Sequence, residues 1–399
     1  MSTAVWTNRL ELNSAADKAL KGAARFWFVV AVIGQFAFAF SIAFFYGLTA
    51  LRGDFQAWNK VLFHGYVAGA TMGNAALAGH ILFATVISMA GALQLVPRVR
   101  NRFPAFHRWN GRIFVLAAFT QATTGLYLTL SGRRVVGDVT QHVVSVLGAV
   151  LIMFCAAVAL RYAIARDFTT HRRWAIRLFL VASASWFFRV GFFLTLLLFG
   201  PIGFDQTNFS GPLLTFWTFA QYLLPLGVLE LYLLAQDRPG ALRRVATAGV
   251  LFALTLAMGA GVFAVAMAAW LPNVKAAYDT RKSIAQTLSA TIASSGIDQA
   301  AKQYHDLKAV EPATYNFDEN ELNNLGYQFI RANKYKEAIR IFQLNVEAYP
   351  QSSNVYDSLA EAYMDDGDKP QAIANYQESL QLNPKNRNAV LMLQKINAP

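Results

Sequence analysis

Seven stretches of this 399-residue chain are too long and too apolar to fold as anything but membrane-spanning helices. They lie at about 25–49, 76–97, 108–131, 141–163, 174–199, 212–235 and 245–271. Crossing the hydrocarbon of a bilayer takes ~20 apolar residues of helix, because every backbone N–H and C=O must be satisfied within the segment. Only 15% of the chain is charged, against about 25% in soluble domains. The first run, after Arg25, is too long for the apolar part of a signal peptide and has no small-residue cleavage site behind it, so it is expected to be retained. Residues 1–24 are polar and are expected to form a cytoplasmic, interfacial segment. Residues 62–75 are mildly apolar, with Gly69 and Gly73. They either extend the second helix or form a short re-entrant piece.

Charge supplies the topology. From Asn273 onward 13 Lys/Arg stand against 15 Asp/Glu, and the preceding part holds 22 against 8. The excess sits in short loops: Arg98, Arg100 and Arg102 in the second, Arg166 and Arg172 in the fourth, Arg238 and Arg243 in the sixth. Alternate loops are poorer. This is a membrane-orientation pattern, not a nucleic-acid one, so no nucleic-acid partner is expected. It puts the N-terminus in the cytoplasm of a bacterial inner membrane, and seven crossings put the C-terminus outside.

The last ~120 residues are of another kind. Pro350/Pro384, Ala338/Ala372, Phe342/Tyr376, Leu325/Leu359 and Gly326/Ala360 are each 34 residues apart. This spacing of small and large residues over about 319–386 resembles the tetratricopeptide repeat. A degenerate earlier unit shows in Ala300, Tyr304 and Pro312, offset by 38 from the next, and residues 387–399 read as a terminal capping helix. The expected domain is 281–399. Stacked repeats of this type imply a protein or peptide partner.

Four histidines mark the membrane part. His80 to His142 is 62 residues and His107 to His171 is 64. The text around the second pair repeats as HRWNGRIFVLAAF and HRRWAIRLFLVAS. On the seven-helix topology His80 and His142 fall at the outer face and His107 and His171 at the cytoplasmic face. Two facing imidazoles can ligate a haem iron, glycines such as Gly79, Gly111, Gly125 and Gly148 leave room, and the basic loops can neutralise propionates. The layout of residues 76–199 is similar to the transmembrane dihaem cytochromes b of the ascorbate and ferric reductase type. That resemblance implies a haem b on His80 and His142, another on His107 and His171, and electron transfer across the membrane. The string HI…QL…R…HRWNGR…HRRWAIR also resembles a bacterial family of multi-pass membrane proteins of unknown function, which implies fold and location but no activity. The same His-Arg-Trp groups equally suit interfacial anchoring. A lone metal ion lacks an adjacent carboxylate.

Arg189, in WFFRVGFF, lies 18 residues past His171, or ~27 Å along a helix. A cation at such depth marks a functional site or reaches out to the headgroups. Its partner as a site residue would be a haem propionate, a quinone carbonyl or an anionic substrate. Glu230 near a helix end is expected to snorkel. Gln94, Gln121, Thr123 and Thr124 suit interhelical hydrogen bonds, and His64 and His305 suit a loop and a repeat surface. The lone Cys155 makes no disulfide, and the lack of CxxCH excludes thioether-bound haem. GxSxG, Walker A, HExxH and GxGxxG are absent, so hydrolase, ATPase and nicotinamide-domain readings lack support.

The expected architecture is all-α: a seven-helix transmembrane bundle in the lipid bilayer, followed by a tetratricopeptide helical-repeat domain. Three functions stay open. One is electron transfer through haem b held by His80/His142 and His107/His171. Another is a non-enzymatic scaffold or sensor whose repeats bind a protein. The third is a transporter built on Arg189 and the duplicated helix pairs. No enzymatic reaction is assigned.

Overall fold

The structure, a computed structural model, describes residues 3–62, 65–131, 139–204, 209–238 and 240–397, with side chains from residue 12 to residue 396. His64 lies outside the described residues. The chain forms two compact units. One runs to Phe199 and from Ser210 to Tyr278; the other comprises Gly200–Phe209 and the chain from Asp279.

The first unit contains α1 (Thr3–Leu51), α2 (Thr71–Gln94), the short α3 (Pro97–Arg102), α4 (Pro104–Leu130), α5 (Val139–Ile164), α6 (Phe168–Ala182), α7 (Ala184–Phe199), α8 (Pro212–Asp237) and α9 (Ala241–Val265). A π-helical turn at Ala266–Trp270 joins α9 to α10 (Leu271–Tyr278). Among the described residues six helices have the length and hydropathy to cross a membrane, and a seventh span is formed by α6 and α7 together. These spans coincide with the seven apolar runs.

Two differences from the expected layout, in the N-terminal segment and in the fifth run, have physical causes, and the second span takes up part of 62–75. The segment before residue 25 is not a separate interfacial piece but the beginning of α1. Nothing in it breaks a helix, and it buries Leu20 and Ala23 against Ala235, Ala248 and Leu251. Arg244 reaches Asp17 at 3.1 Å there. The second span starts at Thr71, so only the end of 62–75 extends it. The fifth run is a broken span: α6 and α7 meet at Ser183 with a bend of 54°. No proline lies in that run. The break instead follows Ser183, which leaves helical geometry (φ −90°, ψ 7°) and accepts hydrogen bonds from Trp186 and Phe187 through its carbonyl.

Packing follows chain order. α2 lies on α1 and α4, α4 on α5, α5 on α6, and α7 on α8 and α9, while α1 closes the unit against α9. The core joins Ile87, Phe114, Ile152, Phe179 and Leu180. Gly91 has no side chain because Phe114 and Phe179 occupy that space.

The second unit is a stack of helical hairpins: α11 (Ile284–Ser295) with α12 (Ile297–Val310), α13 (Glu319–Arg331) with α14 (Tyr335–Ala348), and α15 (Ser353–Asp365) with α16 (Lys369–Leu382). α17 (Arg387–Asn397) closes the stack at the place expected for a cap. β1 (Lys282–Ser283) pairs in parallel with β2 (Tyr315–Asn316). The 34-residue pattern is the core: Leu325, Ala338, Phe342, Leu359, Ala360, Ala372 and Tyr376 are all buried. Ala300 and Tyr304 occupy the same role in the degenerate first hairpin.

Candidate functional site

A cavity of about 1950 Å³ opens within the membrane unit, and His107 and His171 both line it. His107 sits in the first turn of α4 and His171 in the first turn of α6, and both helices pack on α5. Two residues 64 apart in sequence thus meet at one chamber. Its wall is apolar, with Trp27, Phe114, Phe119, Phe179, Leu229 and Tyr232 among the lining side chains. Its cations are Lys21 and Arg25 of α1, Arg100 of α3, Arg108 and Arg112 of α4, Arg166 between α5 and α6, and Arg172 of α6, and no Asp or Glu lines it.

The chamber's polar atoms are arranged with one ring fixed and one open. His171 donates from Nδ1 to the carbonyl of Ala159 at 2.9 Å. A carbonyl can only accept, so the proton sits on Nδ1 and the Nε2 lone pair is left available. His107 Nδ1 is buried without a hydrogen bond. The His107 carbonyl accepts from Gln94 Nε2 at 3.0 Å, and Gln94 Oε1 is likewise buried without a partner. Gly111 faces the Gln94 amide, where a side chain would collide with it. The repeated HRW text has a structural counterpart. Arg112 stacks over Trp109 at 4.7 Å and Arg177 over Trp174 at 5.0 Å, each one turn after its tryptophan.

The other two histidines are elsewhere. His80 donates from Nδ1 to the Gln121 carbonyl (3.1 Å) and lies 3.3 Å from the Thr124 hydroxyl, so its ring is turned to α4 and packs on Gly125. His142 is half-buried on α5. Neither lines the chamber. Among the described residues no three His, Cys, Asp or Glu side chains cluster as ligands for a metal ion.

Arg189 folds back along its own helix. Its Nη1 donates back to the Ser185 carbonyl at 2.8 Å, one turn towards the middle of the span, and its guanidinium lies 5.3 Å from the centre of the Phe38 ring of α1. Among the described residues no carboxylate pairs with it. Glu230 accepts Arg177 at 2.6 Å and stays half exposed.

Sequence reasoning missed three polar side chains in the same region. Gln35, Ser183 and Trp186 are at most 3% exposed, and Gln35 Nε2 and Oε1, Ser183 Oγ and Trp186 Nε1 have no hydrogen-bond partner. Gln35 was legible as an amide inside an apolar run; the other two were not, because Ser and Trp are ordinary in a span.

In the repeat unit the first helices of successive hairpins carry a connected polar row. Tyr327 Oη donates to Glu361 Oε2 at 2.6 Å, and Asn388 Nδ2 donates to Glu361 Oε1 and to Asp357 Oδ2, both at 2.9 Å. Burial pushes the Glu361 carboxyl up to about 7, the neighbouring Asp357 adding to the shift and Tyr327 opposing it. Asn320, Asn354 and Asn388 recur at 34-residue intervals, each at the second position of its helix, a periodicity present in the sequence but not singled out there. His305 is exposed and stands 3.5 Å from Glu347.

No curated protein matches the chain significantly. Residues 353–386 match the tetratricopeptide repeat, which agrees with the α15–α16 hairpin and suggests a protein partner for this unit. The membrane part, over residues 77–209, is similar to the family described as "Predicted membrane protein (DUF2306)", and the chain joins these membrane-length apolar helices to a C-terminal tetratricopeptide repeat region.

Proposed function

We propose that the membrane unit carries electrons, holding a haem b in the chamber between His107 and His171, and that the repeat unit recruits the protein with which it works. The observation that carries this is one amphipathic chamber that joins two imidazoles, an apolar wall and a rim of cations with no acid. A haem b is such an amphiphile, an apolar macrocycle with two carboxylates, and needs two neutral imidazoles as ligands. The residues present fit it. His171 is held by the Ala159 carbonyl in the tautomer that presents Nε2, and His107 has a ring nitrogen with no other use. Arg25, Arg100, Arg108, Arg112 and Arg172 supply charge for propionates, and the aromatic wall suits the macrocycle. When bound, the group supplies one-electron chemistry, tuned by its axial ligands.

The proposal is confined to this chamber, since His80 is turned to α4 and His142 lies apart from the lining. The basic loops support an orientation with the chamber at the cytoplasmic face of a bacterial inner membrane and the repeat unit outside it. The scaffold reading keeps one specific support, the folded repeats with their polar row.

The test is an absorption spectrum of the detergent-purified protein from haem-replete cells, oxidised and dithionite-reduced. A Soret band with sharp reduced α-bands is expected. It should be lost in both H107A and H171A and kept in H80A. A featureless spectrum, or one that survives both substitutions, sinks the haem and leaves the scaffold.

A further inference from the structure

The break between α6 and α7 stands in the middle of a span and gathers polar groups that the protein does not satisfy. Ser183 is the break itself, Trp186 lies in the first turn of the 16-residue α7, and Arg189 follows one turn later. α1 covers them. Ala31, Phe38 and Ile42 of α1 belong to one buried cluster with Trp186 and Val190. Gln35 falls on that same face, between Ala31 and Phe38 at helical spacing. Gly34, its neighbour, abuts the Trp186 indole so closely that no side chain fits there.

The inventory of this region is one-sided. Trp186 Nε1–H, the Gln35 Nε2 amide and the Arg189 guanidinium are donors, Gln35 Oε1 accepts, and the Ser183 hydroxyl can do either, so donors outnumber acceptors. Buried polar groups in native proteins find partners, and those without one mark an unseen water, ion or ligand. The charge is also one-sided. Among the described residues no carboxylate pairs with Arg189, whose contacts are the Ser185 carbonyl and the Phe38 ring. A cation in lipid without a counter-charge is costly.

We infer that the α6–α7 break is a binding site for one small monovalent anion, held by Arg189 and by the donors of Gln35, Ser183 and Trp186. Size follows from packing. Gly34 against Trp186 and Gly261 against the Val190 carbonyl pack the surrounding helices closely, which excludes an amphiphile's body and limits the ligand to a small ion. One cation sets the single charge. This site is separate from the chamber and does not depend on a haem.

The experiment uses the full chain in a neutral detergent, with thermal unfolding followed by circular dichroism. Sodium gluconate is replaced stepwise by sodium chloride or bromide at constant ionic strength. A saturable rise of the unfolding midpoint is expected for the wild type. In Q35L and R189Q the anion concentration at half-saturation should increase at least tenfold, with R189K between them and the wild type. A midpoint indifferent to the anion overturns the inference and assigns these groups to water. An equal rise in wild type and variants also overturns it, as a general salt effect. Should R189Q fail to fold, Q35L and S183A carry the same comparison, because neither removes the buried charge.

Discussion

Gly326 beneath the Phe342 ring and Gly191 beneath the Trp217 indole are one packing device used in two solvents. In each, a helix gives up a side chain so that an aromatic from the next helix can take its place. In the repeat unit the alternative for Phe342 is water, and burying it is driven by transfer as well as contact. In the membrane unit the alternative for Trp217 is lipid as apolar as the protein, and contact alone must hold the helices. Trp217 adds a polar clasp, donating from Nε1 to Thr195 Oγ1 at 3.0 Å. The same geometry should therefore be worth different amounts.

The largest effect tests this directly. Phe342→Ala removes a fully buried ring and should cost ~3–5 kcal/mol of repeat stability. Hydrogen exchange of the α13–α16 amides in the full chain reads it. Trp217→Ala, although a larger truncation, should cost only ~1–2 kcal/mol in a denaturing-detergent titration, because lipid tails can refill the space. An equal cost would erase the comparison. Gly326→Ala and Gly191→Ala should converge at ~1–3 kcal/mol each, since overpacking strains both solvents alike.

Legibility in the sequence divides along the same line. The repeat unit could be read nearly residue by residue: Leu325, Ala338, Phe342 and Tyr376 are buried where a 34-residue period places them, because each position is defined by its neighbours in the stack. Hydropathy located all seven spans but said nothing of their internal faces, as lipid and protein interior select the same residue types. Hence the break at Ser183 was invisible, for it lies in an unbroken apolar run with no proline. His107 and His171 were legible as a pair through their duplicated text. That they line one cavity depends on α4 and α6 both leaning on α5, which no local pattern encodes. The direction of Arg189 was equally hidden, since depth alone does not distinguish a side chain turned outward from one folded back on Ser185.

The buried carboxylate of the repeat unit offers a second contrast with Arg189, because its neighbours do satisfy it. Glu361 faces Tyr327 on α13, Asp357 and Asp365 on its own α15, Tyr376 on α16 and Asn388 on α17. Burial first, then Asp357, raises its carboxyl from the ordinary 4.5 to about 7. The folded state then binds this proton more tightly than the unfolded state. The stabilisation is complete below about pH 4.5 and is lost as pH rises through 7, a fall of ~2–3 kcal/mol. Glu361→Gln keeps the shape and removes the titration. Its repeat stability should be flat between pH 4.5 and 8 where the wild type declines, as read by exchange protection of α15 and α17. A wild type that gains stability over that range would mean that the carboxylate, not the acid, is the form its neighbours hold.

The smallest effect separates two kinds of arginine within HRRWAIR. Arg173 and Arg177 are neutralised by α8, at Asp237 (2.6 Å) and Glu230 (2.6 Å), whereas Arg172 lines the chamber. The Arg177–Glu230 pair is half in solvent, where two charges gain little beyond what water already gives them, and Trp174 continues to hold the guanidinium once the carboxylate is gone. Glu230→Gln should thus cost at most ~0.5–1 kcal/mol, and less at high salt. It should leave any chamber absorbance unchanged, while Arg172→Gln shifts or weakens it. If Glu230→Gln alters the spectrum as much as Arg172→Gln does, the charges of this end act as one field, and the division between paired and chamber-facing arginines falls.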